Sequence, residues 1–258
     1  MTELDLTYEG EGPETIEVPV VEGPSAEDYH INVVTHEGKF NTEEVKFLVY
    51  AESGVGKTVF ASTWPDPVFL DADRGMSSVS RNVGRIEIAK WADLENAIRY
   101  LLHSAHPYKT VVVDSLNEVQ FFVMQNVISK FPDVRRPYKD LASQSDYGKA
   151  LMDFDKYMRN LRALRMNVVF IANRAVQEYE TDAIQPQFVG KNTARNVARM
   201  MDIVGYLYKA DSGDKPKKSR IMAFDVANFV TKDRSDKLPS VVNNPTHNVL
   251  YEFWNKEK

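Results

Sequence analysis

The chain has 258 residues, 43% of them hydrophobic, no cysteine and a formal net charge of −5. This composition supports one sizeable α/β domain with a modest extension, and it excludes disulfide frameworks and cysteine-ligated zinc or iron–sulfur centres. No apolar run reaches the roughly 18 residues of a membrane span, and the five histidines lack metal spacing such as H-E-x-x-H.

The charge is unevenly placed. Residues 1–30 carry nine acids and no Lys or Arg, so removing them from the whole-chain −5 leaves +4 for residues 31–258. Residues 1–42 read as an acidic, partly disordered arm punctuated by Gly10, Gly12-Pro13 and Gly23-Pro24, and residues 43–258 as the core. The acidic start lacks a charged-then-apolar signal, so a cytoplasmic protein is expected.

From residue 45 onward, strand and helix patterns alternate. Apolar runs at 45–50, 68–70, 85–88, 110–113 and 168–172 read as strands. Between them lie two stretches of helical period: Trp91, Leu94, Ile98, Leu101 and Leu102 on one face, then Tyr147, Leu151, Phe154, Met158, Leu161 and Leu164. Further strands are expected at 203–208, 221–226 and 249–253, with a Lys-rich turn (209–218) among them. Continuous apolar strands separated by amphipathic helices imply an α/β fold with a mainly parallel sheet covered on both faces and extra C-terminal strands.

The first strand runs into Ala51-Glu52-Ser53-Gly54-Val55-Gly56-Lys57-Thr58, and a short helix up to Pro65 follows. Strand, glycine-bearing loop and helix N-terminus are the context of a P-loop, whose backbone N–H groups converge on a triphosphate. Lys57 is expected to reach the terminal phosphates and Thr58 to ligate Mg²⁺. Ala51 replaces the first glycine of the motif, which requires φ < 0 there. ATP and Mg²⁺ are the expected cofactors.

Three strand tips supply the rest of a nucleotide site. Asp114 ends the run Thr110–Val113 and is expected to support the metal through water. Its successor is Ser115 rather than the glutamate that many P-loop motors use to polarise water, so the catalytic carboxylate must come from elsewhere. Val68-Phe69-Leu70-Asp71-Ala72-Asp73 offers one, with Asp73 further out than Asp71; a polar strand end is the alternative reading. Asn173, at the tip of 167–172, can sense a terminal phosphate or simply start a turn.

Together these motifs resemble the RecA/RadA class of P-loop ATPases, nearest to the phage-encoded RecA-like annealing and recombination proteins of the Sak group, over residues 44–254. The resemblance implies a RecA-like core and places the water-activating acid at Asp73, where the class has glutamate. It also matches Thr231-Lys232-Asp233-Arg234-Ser235 to an element whose Lys and Arg reach the γ-phosphate on a neighbouring subunit. Two cations at i and i+2 of an extended segment project together and would act like an arginine finger, although a solvated charged turn reads similarly. Shared sites imply a head-to-tail ring or helical filament.

In that class two loops bind single-stranded DNA. Here they correspond to the stretch before Tyr147, with Arg135, Arg136, Tyr138 and Lys139, and to 174–191, with Arg174, Tyr179, Phe188 and Lys191. Cations interleaved with aromatics suit a single strand, and mobile surface loops are the plainer alternative. The function expected is a DNA-stimulated ATPase that promotes strand annealing or exchange, with single-stranded DNA, copies of itself and a single-strand-binding protein as partners. The alternatives are a P-loop nucleotide kinase, an AAA-type motor, or a nucleotide-gated binding module that hydrolyses little.

Overall fold

The computed structural model describes residues 38–131, 134, 136, 138–177, 179, 182–210 and 219–256. Residues 1–37 of the acidic arm, Arg135, and the lysines at 215, 217 and 218 lie outside the described residues.

Six strands run parallel: β1 (Lys46–Ala51), β2 (Pro67–Asp71), β3 (Gly84–Glu87), β4 (Thr110–Asp114), β5 (Asn167–Asn173) and β6 (Ile203–Ala210). An antiparallel end follows, in which β7 (Ser219–Ala223) pairs with β6, β8 (Lys232–Asp233) also pairs with β6, and β9 (Val241–Asn243) pairs with β7. The sheet order is β3-β2-β4-β5-β1-β6-β7-β9. This is the α/β fold with a mainly parallel sheet and extra C-terminal strands that the sequence predicts. Strands β1, β2 and β4 are buried throughout, because helices cover both faces and leave no polar side.

One face is covered by α2 (Trp91–His103), α3 (Leu116–Lys130), α4 (Gln144–Arg162) and α5 (Thr193–Met200), which pack on Leu48, Val111, Val113, Val168 and Phe170. The other face carries α1 (Lys57–Ala61) and α6 (His247–Trp254) over Phe47, Val49, Phe69 and Ile171. In α2 the buried stripe is Leu94, Ala97, Ile98 and Leu101. Leu102 is exposed, since it lies about 100° around the helix from Leu101. In α4 the expected stripe holds from Phe154 onward, while Tyr147 at its start is exposed.

Residues 249–253, expected as a strand, are helical. Thr246 caps α6 by accepting from the Val249 amide, and His247, Leu250 and Trp254 bury one face at helical spacing. Strands β8 and β9 escape the sequence pattern because they are two and three residues long.

β1 lies between β5 and β6, and it is the point where the crossovers change direction. Register aligns Ala51 with Asn173 and Asp71 with Asp114, so the tips of β1, β2, β4 and β5 form one edge. In open α/β sheets a ligand crevice forms at the carboxyl edge beside such a point.

Candidate nucleotide site

The loop from Glu52 to Gly56 leaves the tip of β1 and feeds α1. Ala51 is the last residue of β1 and pairs in register with Asn173, so no left-handed conformation is demanded of it. That demand falls on Gly54 (φ 73°) and Gly56 (φ 114°), where glycine avoids the Cβ penalty. Gly56 has a second constraint, because a Cβ there would lie 2.7 Å from Arg220 Nε.

Two cations from the antiparallel end hold this loop from behind. Lys209 Nζ donates to Gly54 O at 2.8 Å and Arg220 Nε to Val55 O at 2.9 Å. Occupying the carbonyls in this way turns the opposite, N–H side of the loop toward an anion. Neither cation was anticipated from sequence, since each lies more than 150 positions from its partner.

Lys57 Nζ donates to Ala51 O (3.2 Å), Glu52 O (3.1 Å) and Asn173 Oδ1 (3.1 Å). The expected phosphate lysine and the expected sensor amide are therefore in direct contact. Burial lowers the Lys57 pKa, while Asp114 and Asp73 pull it upward. Thr58 Oγ1 donates to Asp114 Oδ2 at 2.8 Å. Asp114 is 3% exposed, and burial pushes its carboxyl up to about 6, against the Thr58 hydrogen bond.

A hydroxyl and a carboxylate in contact, the latter destabilised by burial, form a donor pair that fits Mg²⁺. Among the described residues no group of three or more His, Asp or Glu could hold a metal alone, so the remaining ligands would be phosphate oxygens and water. When bound, the ion would neutralise charge on the phosphates; the chain's own part is to fix Thr58 and Asp114.

The two acids of the second strand have separate roles. Asp71 is buried and pairs with Arg85 Nε of β3 at 2.7 Å, so it belongs to the sheet. Asp73 lies beyond the strand and is exposed. Its amide and that of Ala72 donate to Asp114 O (3.1 and 2.8 Å), and its Oδ1 accepts from Ser115 Oγ at 3.0 Å. The Ser115 hydroxyl thus orients the candidate base. Glu118, in the first turn of α3, has a carboxyl raised by burial and by Asp73.

Asn117 and Gln120, also missed from sequence, bind the segment that follows Asn173. Asn117 Oδ1 accepts from the Asn173 amide (2.9 Å) and its Nδ2 donates to Gln187 O (2.8 Å), while Gln120 Oε1 accepts from the Val189 amide (2.9 Å). Their i, i+3 spacing on one helix face is the available sequence signal.

Two of the expected DNA contacts, Arg136 and Arg174, have partners within the chain. The Arg136 guanidinium meets both Asp146 oxygens (2.8 and 3.0 Å) and the carbonyls of Ile128 and Phe131, and its side chain is 6% exposed. It locks the end of α3 to the start of α4 and cannot face a polyanion. Arg174 bonds Glu52 of the P-loop (2.5 Å) and Gln177 (2.6 Å), so it lies over the nucleotide loop. Lys139 and Lys191 are exposed as expected. The same region exposes Phe121, Tyr138, Leu141, Tyr147 and Tyr179.

Lys232 and Arg234 sit at the opposite, amino edge of the sheet. Lys232 Nζ donates to the carbonyls of Ala198, Arg199 and Met201 at the end of α5, and Arg234 pairs with Asp202 at 2.6 Å. Both reach toward one spot, as i, i+2 geometry requires, and both have partners within the chain. Asp202 also accepts from the Lys46 amide at 2.9 Å, which ties this spot to the start of β1.

No curated protein matches the chain. Among solved structures it is similar to a KaiC-like protein from the hyperthermophilic archaeon Pyrococcus horikoshii, at 14% identity and a TM-score of 0.39, over 70% of this chain and 78% of that one. Residues 43–235 match the AAA domain family, a name the chain carries even though Ser115 stands where an AAA motor would have glutamate. With that match over most of its length, and with Lys57, Thr58, Asp114 and Asn173 gathered at one sheet edge, the chain belongs to the AAA domain family of P-loop ATPases.

Proposed function

We propose that this P-loop ATPase binds single-stranded DNA and promotes strand annealing or exchange in an oligomer whose nucleotide sites are shared between copies, similar to the Sak group. The observation that carries the reading is the Lys57–Asn173 contact. A terminal phosphate would compete for the Lys57 ammonium and release the Asn173 amide oxygen. Asn173 continues into 174–191, whose two ends are drawn together by the Arg174–Pro186 bridge and the Ala175-to-Gln185 hydrogen bond. Nucleotide state at β5 is thereby linked to a segment bearing Tyr179 and Lys191, a coupling of two ligands through one element.

In this reading Asp73 positions the attacking water, Lys57 and Thr58 hold phosphate and metal, and Asp114 supports the ion. Lys232 and Arg234 would complete a neighbour's site after exchanging their present partners. A second reading, a nucleotide-gated binding module with little hydrolysis, is favoured by those same intramolecular contacts, which leave the cations occupied. ATP turnover with and without oligothymidylate separates the two. Stimulation by the strand supports the first, and nucleotide binding with negligible turnover in both conditions replaces it with the second.

A further inference from the structure

A groove of about 810 Å³ runs between α4 and α5, beginning at Gly190 and Lys191 where the 174–191 segment ends. Its floor is apolar, with Leu151, Met158, Val197 and Met200. Four cations line it against one acid, and that acid, Asp155, is already paired with Arg159 at 2.8 Å. Arg162 at the end of α4, Arg199 in the last turn of α5 and Lys191 ahead of α5 are exposed, and among the described residues none of the three has an ion-pair or side-chain hydrogen-bond partner. The groove lining therefore carries three cations with no ion-pair partner among the described residues. Arg136 and Arg174, by contrast, are consumed inside the chain.

We infer that this α4–α5 groove binds a phosphodiester strand, with Arg162, Lys191 and Arg199 on its phosphates and its sugars and bases over the apolar floor. Exposed arginines and lysines beside an apolar surface are the combination that tracks single strands, since phosphates supply most of the affinity and flat bases tolerate apolar contact. The inference rests on the single-strand reading above and moves the main contact from the loops to the groove. The phosphate sensor and the groove then sit at the two ends of one segment, 174–191.

The test is fluorescence anisotropy with a labelled oligothymidylate about 20 nucleotides long, more than the ~4–16 nucleotides a single-strand module typically covers, with a non-hydrolysable ATP analogue and a salt titration. The groove variant is Arg162→Gln/Arg199→Gln and the loop variant Tyr138→Ala/Lys139→Gln. The expected result is a loss of tenfold or more for the groove variant, roughly two phosphate contacts' worth, with a log–log salt slope shallower by about 1.4, at ~0.7 per single-strand phosphate. Nucleotide affinity should be unchanged. Wild-type affinity and slope in the groove variant, with loss in the loop variant, would overturn the groove while leaving the proposed function standing. Absence of binding by the wild type at low salt removes both. If the groove variant instead dissociates in sedimentation, and its strand affinity returns at protein concentrations that restore assembly, the groove is an interface between copies and the inference fails.

Discussion

Lys209 and Arg220 stand opposite each other in the antiparallel register of β6 and β7, and each donates to a different carbonyl of the phosphate loop. The antiparallel end of the sheet thus acts as a bracket for a loop formed 150 residues earlier. Arg220→Ala should weaken ATP binding about tenfold, near 1.4 kcal/mol, the lower range for a hydrogen bond to a charged group. Lys209→Ala should cost less, because its contact is exposed and screened. Titration with a fluorescent ATP analogue reads both. Equal affinity in wild type and Arg220→Ala would show that the bracket does not set the loop.

The Arg136–Asp146 pair predicts a stability effect with a defined pH dependence. The Arg136 guanidinium holds the Asp146 carboxyl well below its ordinary value of 3.8, assisted by the Ser143 amide and hydroxyl and opposed by burial. A depressed carboxyl pKa contributes stability above the unfolded value and loses it as pH falls below about 4. Arg136→Met strands a buried carboxylate and should destabilise by about 3–5 kcal/mol at pH 7. Arg136→Met/Asp146→Leu, which removes both charges, should recover much of that loss. Urea unfolding at pH 7 and pH 3.5 checks both parts; the wild type should lose more on acidification than the double variant.

Sharing of sites between copies is read by mixing variants. Asp73→Ala should retain ATP binding and lose turnover by about 10²–10⁴-fold, the range for removing a positioned base. Lys232→Ala should lose turnover if its ammonium serves a neighbour, and should lower Tm as well, because that ammonium caps the end of α5. An equimolar mixture should regain part of the turnover, since some junctions then hold both intact residues. A Lys232→Ala protein that is less stable but fully active would confine the residue to its capping role.

The sequence pattern carried the parts of this protein that are local. The P-loop, its strand and the Asp114 tip obey short-range rules, and Asp73, Asn173 and Thr58 lie where strand ends and helix starts put them. The loss of Arg136 as a DNA contact reflects its partner: Asp146 is ten residues on, and a charged loop reads the same whether its arginine faces solvent or a buried carboxylate. Lys209, Arg220, Asn117 and Gln120 act on groups 56 to 165 positions away, and no periodicity encodes such pairings. Residues 249–253 misled because Val249, Leu250, Tyr251 and Phe253 satisfy strand propensity as well as helix burial. The Thr246 cap and the contact of α6 with Thr63 and Trp64, just beyond α1, decided between them.

That contact has a mechanical consequence. α1 has five residues, too few to persist alone in water, and the chain just beyond it is clasped by α6. The Trp64 ring lies 4.8 Å from His247 and 6.2 Å from Trp254, and Thr63 Oγ1 accepts from the His247 amide. The helix that presents Lys57 and Thr58 to a triphosphate is thus kept in shape by aromatic rings from nearly two hundred positions downstream. Unfastening that distant clasp would slacken the grip on the nucleotide without touching a single residue that meets it.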